Sequence, residues 1–173
     1  MKTFLILLLT ITTVFANNLI IHSKVFPTVL QYDRDLNKKV DNDRVKFVIV
    51  YSDSFESKAN EFKELISKKH KKIAKFDLDI EIISEKEVKE SDIIDANGIY
   101  FFPINDKIMK YLIDYSIKNS ILTFSNINEM LNQGVAIGLL TDRRIKPIIN
   151  KKIIKKSKIK LNSTLLKVSK IYE

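Results

Sequence analysis

Few residues of this 173-residue chain are equipped for chemistry. It has two histidines, His22 and His70, and no cysteine, so disulfides, thiol chemistry and soft-metal sites are excluded at the outset. The densest carboxylate group is Asp77, Asp79 and Glu81, which alternates with Leu78, Ile80 and Ile82. That spacing sets three acids on one face of a strand, where a hard cation could bind, but no histidine or second carboxylate cluster stands beside them. Charged protection of a sheet edge accounts for the pattern better. His70 closes a lysine-rich helix end and reads as a surface residue. With Gly98, Gly134 and Gly138 as the only glycines, there is neither a G-x-G-x-x-G turn nor a Walker sequence to bring backbone against a pyrophosphate. A G-x-S-x-G elbow is also missing. Ser52, Asp53, Pro103, Asn105 and Ser125 follow apolar runs, where a doubly wound sheet builds its active site, yet helix capping explains the serines without catalysis. These residues point to a protein that is not an enzyme, needs no cofactor or metal, and acts by binding.

The elements that would position these residues alternate between two periods. Val45 to Tyr51 is a near-continuous β-branched run of the kind covered on both faces in a parallel sheet, and is expected to be the central strand. Leu78 to Ile82 reads as a half-wet edge strand, Ile99 to Phe102 and Ile121 to Phe124 as buried strands. Between them Phe55, Ala59, Phe62 and Ile66 recur at helical spacing, as do Ile108, Met109, Leu112 and Tyr115. Capping boxes are expected at Asp53-Ser54-Phe55-Glu56 and Ser84-Glu85-Lys86-Glu87. A first helix, capped by Ser23 or a neighbour, is expected through about Lys38, with Pro27 tolerable only in the opening turn. The prediction is an α/β domain with a largely parallel sheet of five or six strands and helices on both faces, in a flavodoxin-like or half-Rossmann order. The pair of runs between Gly134 and Asn150 is expected to form an antiparallel hairpin at one edge, because its Asp142-Arg143-Arg144 turn is too short for a parallel crossover.

The first sixteen residues stand apart. Lys2 precedes an unbroken apolar and hydroxyl run from Phe4 to Phe15 that ends Val14-Phe15-Ala16, the pattern of a secretory signal peptide cut between Ala16 and Asn17. The run is too short for a comfortable membrane span, and no cysteine follows to take a lipid anchor. Residues 17–173 are then one exported domain. Its formal charge of +9 falls to +8 when Lys2 is removed. Nucleic acid is an unsuitable partner outside the cytosol, so the basic balance is either solvated surface or a match for an acidic protein or anionic lipid.

The last forty residues carry the one fingerprint. Gly134-Val135-Ala136-Ile137 opens a strand, Asp142-Arg143-Arg144 turns it, Ile148-Ile149-Asn150 closes the return past Pro147, Lys151 to Lys158 forms a basic helix, and Ser163-Thr164-Leu165-Leu166-Lys167-Val168 ends the chain. This stretch, with Ile121-Leu122-Thr123-Phe124-Ser125 before it, resembles the YfiR family of small periplasmic proteins. The resemblance implies a periplasmic α/β domain that binds the periplasmic sensor part of an inner-membrane diguanylate cyclase or similar signalling protein and represses it. It implies no stable membrane anchor and is compatible with a homodimer. Well-known members use disulfides, and this chain has no cysteine to make one. Physically, Gly134 suits a helix C-cap, Asn150 an N-cap, and Leu165 with Leu166 should pin the terminal segment to the core. Arg143, Arg144 and Lys146, at a turn tip, are the candidate partner surface. A second reading takes the strand and helix pattern from Val45 to Phe102 as one lobe of an ABC-transporter substrate-binding protein. Such proteins normally close two lobes on a ligand, and this chain has room for one.

Overall fold

The run of valine, isoleucine and aromatic residues after the turn at Asp41 forms β1 (Arg44–Tyr51), and five of its eight residues are fully buried. In this computed structural model residues 18–125, 127–141 and 144–173 are described. The expected signal peptide, with Ala16 and Asn17, lies outside them, as do Asp142 and Arg143. Before β1 come α1, over 18–30, and α2 (Leu36–Lys39). After it follow α3 (Glu56–Lys69), β2 (Lys72–Ile73), β3 (Phe76–Ser84), α4 (Glu90–Ile93), β4 (Ala96–Phe101), α5 (Asp106–Lys118) and β5 (Leu122–Ser125). The C-terminal part adds β6 (Ile137–Thr141), β7 (Ile145–Asn150), α6 (Lys151–Lys156), α7 (Ser163–Val168) and β8 (Lys170–Tyr172).

The strands form one mixed sheet in the order β2-β3-β1-β4-β5-β6-β7-β8. From β3 to β6 every pairing is parallel, and that stretch has the flavodoxin-like order 2-1-3-4-5. β6 and β7 make the expected antiparallel hairpin, with Ile137 opposite Ile149 and Thr141 opposite Ile145. The sheet has eight strands, more than the five or six expected, because the ends recruit short pieces. β2 adds two residues beside β3, and β8 lies parallel to β7 so that the hairpin is one strand in from the edge. Neither piece is long enough to carry a hydrophobic period.

Each face of the sheet buries its own core. One collects Leu19, Phe26 and Leu30 of α1, Phe62 and Ile66 of α3, Tyr100, Phe102 and Phe124 from the strands, and Leu165 of α7. The other collects Ile93, Met109, Leu112, Ile113, Met130 and Leu131 beneath Val48, Val50 and Phe101. Gly98 permits the close approach of α1, since a Cβ there would stand 2.9 Å from Leu30 Cδ2. Among the described residues no helix is long and apolar enough to cross a membrane.

Three local expectations are corrected. Ser23 does not cap the first helix; it lies inside α1 and its hydroxyl donates to the Ile20 carbonyl at 2.9 Å. Pro27 therefore sits inside a helix, against its usual cost, because its neighbours Phe26, Val29 and Leu30 are fully or nearly buried and hold the segment on the sheet. The Asp53 capping box does not form. A 3-10 turn, Asp53–Phe55, intervenes before α3, and Asp53 pairs instead with Lys86 across the end of the sheet. The Ser84 box likewise gives a turn, and α4 begins later, with Asp92 accepting from the Lys89 N–H at 2.7 Å.

Candidate functional site

The crevice at the carboxyl ends of β1 and β4, where the strand order reverses, is the place this fold offers a ligand. Here its polar groups bond to one another. Ser52 Oγ donates to the Pro103 carbonyl at 2.8 Å, the Glu85 carboxylate accepts from the Asn105 N–H at 2.5 Å, and Lys86 bridges to Asp53. The Glu85 N–H in turn donates to the Tyr51 carbonyl at 2.8 Å. Asn105 caps α5 through the Lys107 N–H at 2.9 Å, and Ser125 is fully buried, with its hydroxyl accepting from the Ile127 N–H at 3.1 Å. Each polar group at the switch point is thus committed to the protein's own backbone or to a neighbouring side chain.

The two histidines lie elsewhere, His22 within α1 and His70 after α3. His22 is 2% exposed, stacked near Phe26, with Nδ1 3.3 Å from the Tyr100 hydroxyl. Burial lowers its pKa to about 4, so the ring is neutral at neutral pH, while burial raises that of Tyr100 and keeps its proton in place. His70, expected at the surface, is half-buried beside the carbonyls of Ser23 and Lys24. Pro27 has no N–H to offer the Ser23 carbonyl four residues before it, and the buried Nε2 of His70 has no hydrogen-bond partner among the described residues. Its pKa is lowered, mainly by burial, with the carbonyls opposing.

Gly134 and Asn150 of the C-terminal fingerprint are held by the fold. Gly134 has φ +110°, and a Cβ there would meet Ile113 Cγ2 at 3.0 Å, so the helix-ending turn needs glycine. Pro147 stands opposite Leu139 on β7, just before the residues that pair with β8. Asn150 is 5% exposed and joins three elements. Its backbone N–H donates to Ala136, its side-chain amide donates to the Leu131 carbonyl at 2.9 Å, and its Oδ1 caps α6 through the Ile153 N–H at 3.2 Å. Leu165 is buried, but Leu166 is 40% exposed, which corrects the expectation that both pin the segment. Adjacent helix positions point about 100° apart, and a six-residue helix turns only one of them inward.

Arg144, Ile145 and Lys146 are exposed at the hairpin tip. β8 runs parallel to β7 from the pair Ile148–Lys170, so Val168, two residues earlier, lies on the side of the sheet towards that tip. Ile145, Leu166, Val168 and Ile171 are four of the seven large hydrophobic residues exposed among the described ones. From 144 to 172 the chain has ten lysines and arginines and no carboxylate. Exposed apolar residues within a basic stretch suit a protein contact with an acidic partner.

A family model described as YfiR/HmsC-like matches residues 34–170. The chain belongs to that family. Its match thus reaches well beyond the C-terminal fingerprint, through the parallel sheet as well. No curated protein matches the sequence. Among solved structures, the YfiR/HmsC-like chain is similar to a conserved domain protein from Vibrio cholerae, with 13% identity and a TM-score of 0.58 over 90% of this chain and 60% of that one. It is also similar to the ABC domain in complex with L-Trp from Streptococcus pneumoniae, with 15% identity and a TM-score of 0.52 over 84% of this chain and 62% of that one. At such identities the likeness is one of fold. This chain spans about three fifths of the length of each of those structures.

Proposed function

We propose that this YfiR/HmsC-like protein is a periplasmic, non-enzymatic regulator, exported after cleavage between Ala16 and Asn17, that represses an inner-membrane diguanylate cyclase or similar signalling protein by binding its periplasmic sensor part. The observation that carries the reading is the C-terminal surface, where Ile145, Leu166, Val168 and Ile171 are exposed within a stretch free of carboxylates, on a chain of this family. With no reacting groups involved, repression works by binding one conformation of the sensor better than another, and its extent is limited by that difference in affinity. Arg143, Arg144 and Lys146 act as a charged rim that steers association.

The test has two arms. Deleting the protein in its host should raise cyclic di-GMP, and an unchanged level refutes the regulatory reading. Replacing Arg143, Arg144 and Lys146 together by alanine should slow association with the purified sensor domain at least tenfold at low salt and flatten its salt dependence; an unchanged on-rate refutes the surface. The alternative, a single-lobed substrate-binding protein, has the likeness to the L-Trp-bound domain in its favour. The hydrogen bonds that engage the polar groups of the switch-point crevice count against it.

A further inference from the structure

The two edges of the sheet are unlike. β3 is nine residues long, and β2 pairs only with its Phe76 and Asp77, so the outer edge of β3 from Ile80 onward has no strand beside it among the described residues. An open groove of about 790 Å³ runs there, lined by Lys63, Ile82, Ile83 and Val88 among others. At the far end of the sheet β8 is also uncovered on its outer side, and its central Ile171 is 41% exposed. An open edge of this length is a template for another strand unless something occupies it.

The faces of the two edges match. Ile80 belongs to the first core and Ile82 packs against it, so Asp79 and Glu81 point to the opposite face. On β8, Ile171 is aligned with Ile149 of the same first core, whereas Lys170 is aligned with Ile148 of the second. An isoleucine therefore lies on one face at both edges, and opposite charges lie on the other. Asp77 and Glu81 are paired within the chain, to Lys72 at 2.9 Å and Lys46 at 3.1 Å. Asp79 and Lys170 are in no ion pair among the described residues. The surrounding charge follows the same division: residues 76–95 carry eight carboxylates against two lysines, and residues 144–172 carry ten cations and no carboxylate. Direction also agrees, because β7 reverses the sheet and β8 follows it, leaving β8 antiparallel to β3.

We propose that copies of this chain associate head to tail, β8 of one adding beside β3 of the next as an antiparallel ninth strand, with Ile171 opposite Ile80, which sets Lys170 opposite Glu81 and diagonal to Asp79. β3 cannot serve as its own partner as well, since antiparallel self-pairing would bring its row of acids together. A contact between two different edges is heterologous, so it extends into open chains of copies.

The test is sedimentation velocity of the mature protein across a wide concentration range at low and high salt, with Asp79→Lys and Lys170→Glu as surface variants whose melting temperatures verify folding. Wild type should associate with rising concentration, and high salt should weaken this. Each variant alone should lose at least tenfold in apparent association constant. Mixing the two variants should restore it, because Lys170 of one then meets Asp79 of the other. A wild type that stays monomeric throughout overturns the proposal, as does a Lys170→Glu protein that self-associates normally, or a mixture that stays as dissociated as its components.

Discussion

His22 should make the domain acid-labile in a defined window. Its ring is neutral in the folded protein, with a pKa lowered by burial to about 4, whereas in the unfolded chain it titrates near the ordinary 6.5. The folded state then binds fewer protons, so stability is full above pH 6.5 and falls as pH drops towards 4. Below that both states are protonated and the loss stops growing. The span of two and a half units corresponds to about 3 kcal/mol, a large part of the roughly 5–15 kcal/mol that holds a domain folded. Urea unfolding at pH 7.5, 5.5 and 4.5 measures it, with His22→Leu as the non-titrating control. The half-buried His70 has a pKa shifted in the same direction, so both proteins should carry His70→Gln to isolate the first site. Carboxylates still titrate in this range, which is why the difference between the two proteins, and not either slope alone, is the readout. The His22→Leu protein should lose about 2–3 kcal/mol less than its parent between pH 7.5 and 4.5. Parallel losses, or an imidazole resonance of folded protein titrating near 6.5, would refute the reasoning.

Leu165→Ala should cost about 2–5 kcal/mol because the side chain is buried in the first core, while Leu166→Ala should change stability by less than about 0.5 kcal/mol and weaken partner binding instead. Thermal melts and sensor-domain binding distinguish the two. Asn150→Ala removes the cap of α6 and one of the two hydrogen bonds to the Leu131 carbonyl, which keeps the Gly134 N–H at 3.2 Å, so a loss of about 1–2 kcal/mol is expected in denaturant titrations. Lys39→Met leaves the carboxylate of Asp33, 6% exposed and otherwise 2.5 Å from the Lys39 amine, without its cation; a loss of about 2–4 kcal/mol is expected, with a smaller one in a protein that also carries Asp33→Asn.

The parallel body of the sheet was readable because it is written in long periods. Val45 to Tyr51 could hardly be anything but a doubly covered strand, and the two-residue alternation of Asp77 to Ile82 marked a strand near the edge. The cap Asn150 was also legible, since it needs only a side-chain oxygen placed before a helix. What escaped depends on tertiary contact. The capping box at Asp53 is sound as local chemistry, but Lys86, 33 residues away, competes for the same carboxylate. Pro27 argued for a helix start and lost to the burial of Phe26 and Leu30 beneath it. His70 looked like one more polar residue among lysines, and only the folded chain half-buries it near the Ser23 and Lys24 carbonyls.

The site was less legible than the fold for a related reason. A catalytic constellation would show itself through the residue types it cannot do without, whereas a docking surface is defined by which ordinary residues stay uncovered. Leu166, Val168 and Ile171 look in sequence like the inner face of two short elements, and it is the absence of anything packed over them that gives them meaning. The lysines around them become informative in the same way, through where the carboxylates are not. One edge of this sheet is acidic and open, the other basic and open, and both bear isoleucine on the same face. If the sensor and a second copy compete for the C-terminal surface, self-association and repression exclude each other, and the fraction of protein able to bind the sensor falls as its own concentration rises.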